Sequence, residues 1–232
     1  MEFPALAAGA MAAERAAFIQ RTYLHVAGAI LAFLALEAIL IQLPLAEQVA
    51  RFAYSGFNQI IILIAFMAAG YVANKWAHSD TSVGMQYLGL GLYVVAQAAF
   101  FLPLMFVVQN YAGQSEQIFT QAGTLTLVLF AGLTTVAFMT RKDFSFLRSI
   151  LTIGFFVAIG VVVLSMIMGF SLGLLFASAM IVLASGAILY DTSNIIHHYR
   201  TDQHVGASLS LFASVALLFW YAIQFVWALN SD

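Results

Sequence analysis

Residues 147–168 read LRSILTIGFFVAIGVVVLSMIM, a run whose single charged side chain is Arg148 at its second position. As a helix rising about 1.5 Å per residue it would reach about 33 Å, enough to cross a hydrocarbon core about 30 Å thick. Backbone that faces lipid must satisfy its own hydrogen bonds, so a run of this kind is read as a membrane-spanning helix. Working outward, similar apolar runs occupy 22–43, 57–74, 86–108, 118–139, 171–196 and 207–229. The reading is an all-α polytopic membrane protein with seven transmembrane helices.

Composition agrees. Of the 232 residues, 63% are apolar and 8% charged, whereas soluble domains carry about 25% charged residues. So few charges could not cover a water-facing surface, and the lipid bilayer is the expected partner. The net charge of −2 and the scattered basic residues offer no patch for nucleic acid. Cysteine is absent, which excludes disulfides and thiolate metal sites. Small residues at 5–13 precede a long apolar run instead of following one, so the first span is expected to stay in the protein as a signal anchor.

The breaks between spans are polar or turn-forming. They hold Pro44, Glu47 and Arg51; Lys75, His78, Ser79 and Asp80; residues 109–117; Arg141-Lys142-Asp143; Gly169-Phe170-Ser171; and residues 197–204. With the N-terminus in the cytoplasm, Arg15, Arg21, Lys75, Arg141, Lys142, Arg148 and Arg200 all lie inside, and Arg51 alone faces out. By the positive-inside rule this fixes a cytoplasmic N-terminus and an outside C-terminus. The expected organisation is a cytoplasmic tail over 1–21 followed by one seven-helix domain over 22–232, with no linker or repeat. Gly28 with Ala32 in the first span, and Ala177 with Ala184 and Ala187 in the sixth, mark small faces where helices could approach closely.

Ionisable residues inside spans are costly and therefore candidate functional groups. Asp191 lies six residues before His197, about 9 Å of helix from the cytoplasmic boundary. Low dielectric disfavours its charged form unless a cation or donors compensate, so a change of protonation is available to it. Asn194, Ile195 and His198 follow at helical spacing on its face. The alternative is a structural Asp bonded to a neighbouring helix or paired with Lys75 or Arg148 as counter-ion. Glu37 falls nearer the outer side, where it either lines an outer vestibule or snorkels to the interface. His25 is read as an interfacial hydrogen-bonding residue. His197, His198, His204 and Asp202 match no zinc spacing and read as a polar cytoplasmic turn, so no metal or other cofactor is expected; protonation of these histidines would alter the field at an inner mouth.

Two motifs point to chemistry that the topology does not support. Gly169-Phe170-Ser171-Leu172-Gly173 fits the pattern of a serine nucleophile, but Ser171 is expected at the outer boundary and every histidine near the inner one, so the motif reads as a turn. A retinal Schiff base needs a lysine in the last span, and the two lysines, Lys75 and Lys142, lie in breaks. An enzyme is not expected.

The stretch Ile188-Leu189-Tyr190-Asp191-Thr192-Ser193-Asn194-Ile195-Ile196 resembles the sixth-helix signature of the Bax inhibitor-1 family, also called the transmembrane Bax inhibitor motif family. Arg21-Thr22-Tyr23-Leu24-His25-Val26-Ala27-Gly28 resembles that family's opening. The resemblance implies a bacterial-type member in an inner (plasma) membrane, with a central helix enclosed by the others. It implies either a pH-sensitive calcium or other cation leak, or a non-conducting regulator of stress responses or of a membrane-bound AAA protease. In the leak picture Asp191 is the titrating gate residue, with His198 at the mouth. The family's second Asp, in the seventh span, is replaced by Ser214 within Leu211-Phe212-Ala213-Ser214. Ser214 can donate a hydrogen bond to Asp191 but cannot share a proton with it, and calcium would meet one fewer hard anion. In the regulator picture residues 1–20 engage that protease or another membrane protein.

Overall fold

A computed structural model describes residues 11–79 and 82–230. Asp80 and the chain ends, on which part of the reading above bears, lie outside the described residues. Among the described residues eight helices follow in chain order: α1 Ala12–Leu40, α2 Leu45–Ala53, α3 Asn58–Ala77, α4 Val83–Tyr111, α5 Ser115–Thr140, α6 Leu147–Met168, α7 Leu174–His197 and α8 His204–Leu229. Among the described residues, all but α2 are long and apolar enough to cross a membrane. The chain is an all-helical integral membrane protein with seven spans.

The helix of the first span begins at Ala12 and runs unbroken through the expected 21/22 boundary to Leu40. Its opening turns, Ala12-Ala13-Glu14-Arg15-Ala16-Ala17, are strong helix formers with no glycine or proline among them. At about 43 Å, α1 exceeds the hydrocarbon thickness, so its start can be helical and still lie outside lipid.

The break after the first span contains a helix that the hydropathy reading did not anticipate. Pro44 caps α2 in a helical conformation, which its fixed φ suits. Ala46, Ala50 and Ala53 form its buried face, and Arg51 bridges back to Glu47 at 2.7 Å on the exposed side. The other ends are made by ordinary devices. Arg141 and Gly169 close α5 and α6 in left-handed conformations, φ 49° and 74°. Gly169 opens the turn that carries Ser171, so the serine motif is a connection between α6 and α7.

The described residues form two compact units. One comprises residues up to Val107 with Ile195–Phe212; the other comprises Val108–Asn194 with Ala213 onward. The chain passes between the units inside α4, α7 and α8, where no linker marks the crossings. In the first unit Phe33 meets Phe101 edge to face, with ring centroids 4.9 Å apart at 80°, and Phe212 packs on Phe33 and Tyr93. The backbone of α4 comes close to that of α3: a Cβ on Gly89 would fall on the backbone of Ala73 and Ala77, both fully buried. In the second unit Ala158, Met180 and Tyr221 form a core flanked by Phe176, Leu217 and Trp220.

The small faces expected from spacing divide. Ala177 and Ala184 of α7 are buried. Gly28 and Ala32 are exposed, and a Cβ on Gly28 would meet nothing within 4 Å. Spacing shows that a face is small; it does not show which way the face turns.

Candidate functional site

The last turns of α7 carry Asp191, Thr192 and Ser193, all buried. Successive residues of a helix point about 100° apart, so this polar run bonds in more than one direction. Ser193 Oγ accepts the Phe144 N–H at 2.9 Å and lies 3.4 Å from the Lys142 carbonyl, which fixes the α5–α6 connection. Asp143 Oδ1 braces the same connection by accepting the Ser145 N–H at 2.9 Å. Asp191 turns to α8, where Ser214 Oγ donates to its Oδ2 at 2.5 Å. Both residues are 8% exposed. A short bond to a buried carboxyl contributes more than a neutral one, about 1.5–3 kcal/mol, and losing it would leave a polar group stranded.

The structure therefore joins Asp191 and Ser214, as the sequence suggested, and departs from the reading at four other positions. Arg148, on the exposed side of α6, makes no ion pair with any described residue and so gives Asp191 no counter-ion. Lys75 is likewise exposed, without an ion pair among the described residues. His198 lies beyond the end of α7 at His197, so the i+7 spacing that put it on Asp191's face does not apply; its ring is exposed and stands 6.2 Å from that of His197. Glu37 is neither at a vestibule nor snorkelling. It is 5% exposed, and both carboxyl oxygens are buried with no hydrogen-bond partner. It shares a face with Phe33 one turn earlier, so the rotation of α1 that packs Phe33 also carries Glu37 inward.

An unpartnered buried polar group costs about 1–3 kcal/mol, and replacing it by an apolar side chain of similar length removes that cost. Glu37→Met is therefore expected to stabilise the protein by about that amount, seen as a higher denaturation midpoint in detergent. A drop of similar size would mean that the carboxyl is held by a favourable interaction.

The family model described as "Inhibitor of apoptosis-promoting Bax1", Bax1-I, matches residues 15–231. The chain belongs to this family. Its signature stretches supply the buried run of α7 and the buried Thr22 and Val26 of α1. Among similar proteins, PA2604 of Pseudomonas aeruginosa is 30% identical over 173 residues, covering 72% of this chain and 73% of that protein. YccA is 37% identical over 109 residues, covering 47% of this chain and 49% of YccA; it is named a modulator of FtsH protease in Escherichia coli K12 and an inner membrane protein in strain O6:H1. LIFEGUARD 4 of Arabidopsis thaliana is 29% identical over 210 residues, covering 87% of this chain and 81% of that protein.

Proposed function

We propose that this Bax1-I protein is a non-conducting regulator in a bacterial inner membrane, with its N-terminus in the cytoplasm and its C-terminus outside. It modulates a membrane-bound protease of the FtsH type and has no catalytic site of its own. The observation that carries this reading is the closure of Asp191 by a hydroxyl: Ser214 donates to its carboxyl at 2.5 Å, which suits a structural lock between α7 and α8 better than a proton-sharing acid pair. The name of YccA, 37% identical over 109 residues, supports the choice of partner.

The test is the half-life of a membrane substrate of the host's FtsH-type protease, with and without the chain. A change of twofold or more (about 0.4 kcal/mol in a rate) is expected with the full chain and not with a version lacking residues 1–10, a deletion that leaves α1 whole. An unchanged half-life with folded chain present in the membrane would overturn the reading.

The second reading is a pH-sensitive cation leak, calcium included, with Asp191 as its gate. It draws on a buried carboxyl within a span, the position where ionisable groups accompany ion paths. Flux through liposomes separates the two readings.

A further inference from the structure

Between α1 and α3, the helix α2 has three faces of different chemistry. At about 100° per residue, Ala46, Ala50 and Ala53 share one face, Leu45 and Phe52 a second, and Glu47, Gln48 and Arg51 a third. The three faces are spaced about 110–140° around the axis. The alanine face is the buried one. Val49, which falls between it and the second face, is half-buried, while Leu45 and Phe52 are 51% and 49% exposed. About half of each large apolar side chain is left uncovered by any described residue.

The ends of α2 allow it little travel. Residues 41–44 join it to Leu40 of α1, and residues 54–57 join it to Asn58 of α3. The first connection is wound into turns: the Leu43 N–H donates to the Leu40 carbonyl at 3.1 Å, and the Ala46 N–H to the Leu43 carbonyl at 2.9 Å. At the second, the Asn58 side-chain amide donates to the Phe52 carbonyl and to Ser55 Oγ, both at 3.0 Å. The first residue of α3 thus grips the last turn of α2. Tied on both sides, α2 shares the depth of the span ends, which is where hydrocarbon gives way to headgroups.

Exposed apolar side chains lead towards α2 from both spans. Ile61 and Ile64 follow Phe57 at i+4 and i+7 along one face of α3, and all three are exposed. Ile39 and Leu43 are exposed where α1 ends. On membrane-spanning helices such side chains face hydrocarbon, so the Leu45–Phe52 face continues a surface that lipid covers. The third face is polar, and its two charges are paired. Arg51 donates to Glu47 Oε1 through Nε at 2.9 Å and through Nη2 at 2.7 Å.

We propose that α2 is an interfacial helix whose partner is the lipid bilayer, with Leu45 and Phe52 inserted into the leaflet at which α1 ends and α3 begins. A helix with apolar and polar faces along its length lies in the plane of the membrane boundary, its apolar face about 5–10 Å into the headgroup and acyl region. The alanine face holds α2 to the protein, and Glu47, Gln48 and Arg51 meet headgroups and water. Phe52 then sets the depth of the start of α3, because Asn58 ties the Phe52 carbonyl to that helix. The inference needs the seven spans alone and holds for either reading of the function.

The chain has no cysteine, so a single introduced cysteine carries a spin label without background. The test is the relaxation of such labels on the full chain in phospholipid nanodiscs, with oxygen as the lipid-soluble reagent and a nickel chelate as the water-soluble one. Labels on Leu45→Cys and Phe52→Cys are expected to respond to oxygen and not to nickel, at a depth of about 5–10 Å below the headgroups. Labels on Glu47→Cys and Gln48→Cys are expected to respond to nickel; the exposed ion pair lost with Glu47 contributes little to stability. Nickel access at 45 and 52 equal to that at 47 and 48 would place α2 in water. Screening of 45 and 52 from both reagents would place another protein or a second copy there. Either result would overturn the proposal, and because 45 and 52 read one face independently, a failure of one variant to fold leaves the other to decide.

Discussion

Gly89→Val is expected to lower the stability of the protein by about 3 kcal/mol, while Gly91→Ala, two residues along the same helix, leaves it unchanged or slightly raised. A Cβ on Gly89 would lie under 3.0 Å from backbone atoms of Ala73 and Ala77. Backbone cannot rotate away as a side chain can, so α3 and α4 would have to separate. In lipid, where apolar surface gains little by leaving the hydrocarbon, such close contact is a main source of helix association. At Gly91 a Cβ meets nothing within 4 Å, so only the helix preference of alanine acts, about 0.5–1 kcal/mol in its favour. Gly206→Ala should fall between them, because its Cβ meets the far end of the His78 ring and the Ala77 carbonyl at 3.1 Å. Midpoints in detergent rank the three; for a chain of this size about 3 kcal/mol corresponds to a fall of roughly 6–12 °C. Equal midpoints for Gly89→Val and Gly91→Ala would mean that α3 and α4 do not pack through Gly89.

The contrast between Gly28 and Gly89 shows what could be read from the sequence. The seven spans are legible because lipid sets one length requirement that every crossing must meet. Both glycines lie in such spans, and nothing local separates the exposed one from the one pressed on a neighbour. Rotation about the helix axis is set by the partner, which is why the sequence alone points Glu37 to water or the interface while it lies inward with Phe33. The α2 helix is short and half polar, below what a hydropathy scan registers, although the alanines at 46, 50 and 53 and the Glu47–Arg51 pair carry its period. The end of α7 at His197 is unmarked in the sequence, so the i+7 spacing overruns it by one residue at His198. Asp191 with Ser214 was legible because the family signature marked one residue and the missing second acid marked the other. The hydroxyl of Tyr87, 3.0 Å from His25 Nε2 and 3.4 Å from His204 Nε2, was not, because these contacts join residues 62 and 117 positions apart.

Ser214→Asp is expected to create a pH-dependent cation flux that the unaltered chain lacks. The present donor, 2.5 Å from Asp191 Oδ2, lets that carboxyl be satisfied in one stable arrangement. A second carboxyl in its place cannot ionise cheaply beside the first, so the two would share one proton and release it as a unit when the pH rises. Each protonation state then favours a different spacing of α7 and α8, and that difference is what a gate requires. In liposomes loaded with a calcium indicator, Ser214→Asp should show a flux that changes roughly tenfold per pH unit across its transition, against a flat and low profile for the unaltered chain. The additional change Asp191→Asn should flatten the variant again. A pH-dependent flux already present in the unaltered chain and abolished by Asp191→Asn alone would reverse the choice made here, since the single carboxyl would then suffice as a gate. Stability gives an independent reading of the same contact. Ser214→Ala strands the Asp191 carboxyl and should cost about 1.5–3 kcal/mol. With Asp191→Leu already in place the same change should cost much less, because there is no acceptor left to strand, and the difference between the two costs is the coupling across the contact. A coupling near zero would mean that Ser214 is a bystander and that the lock between α7 and α8 lies elsewhere.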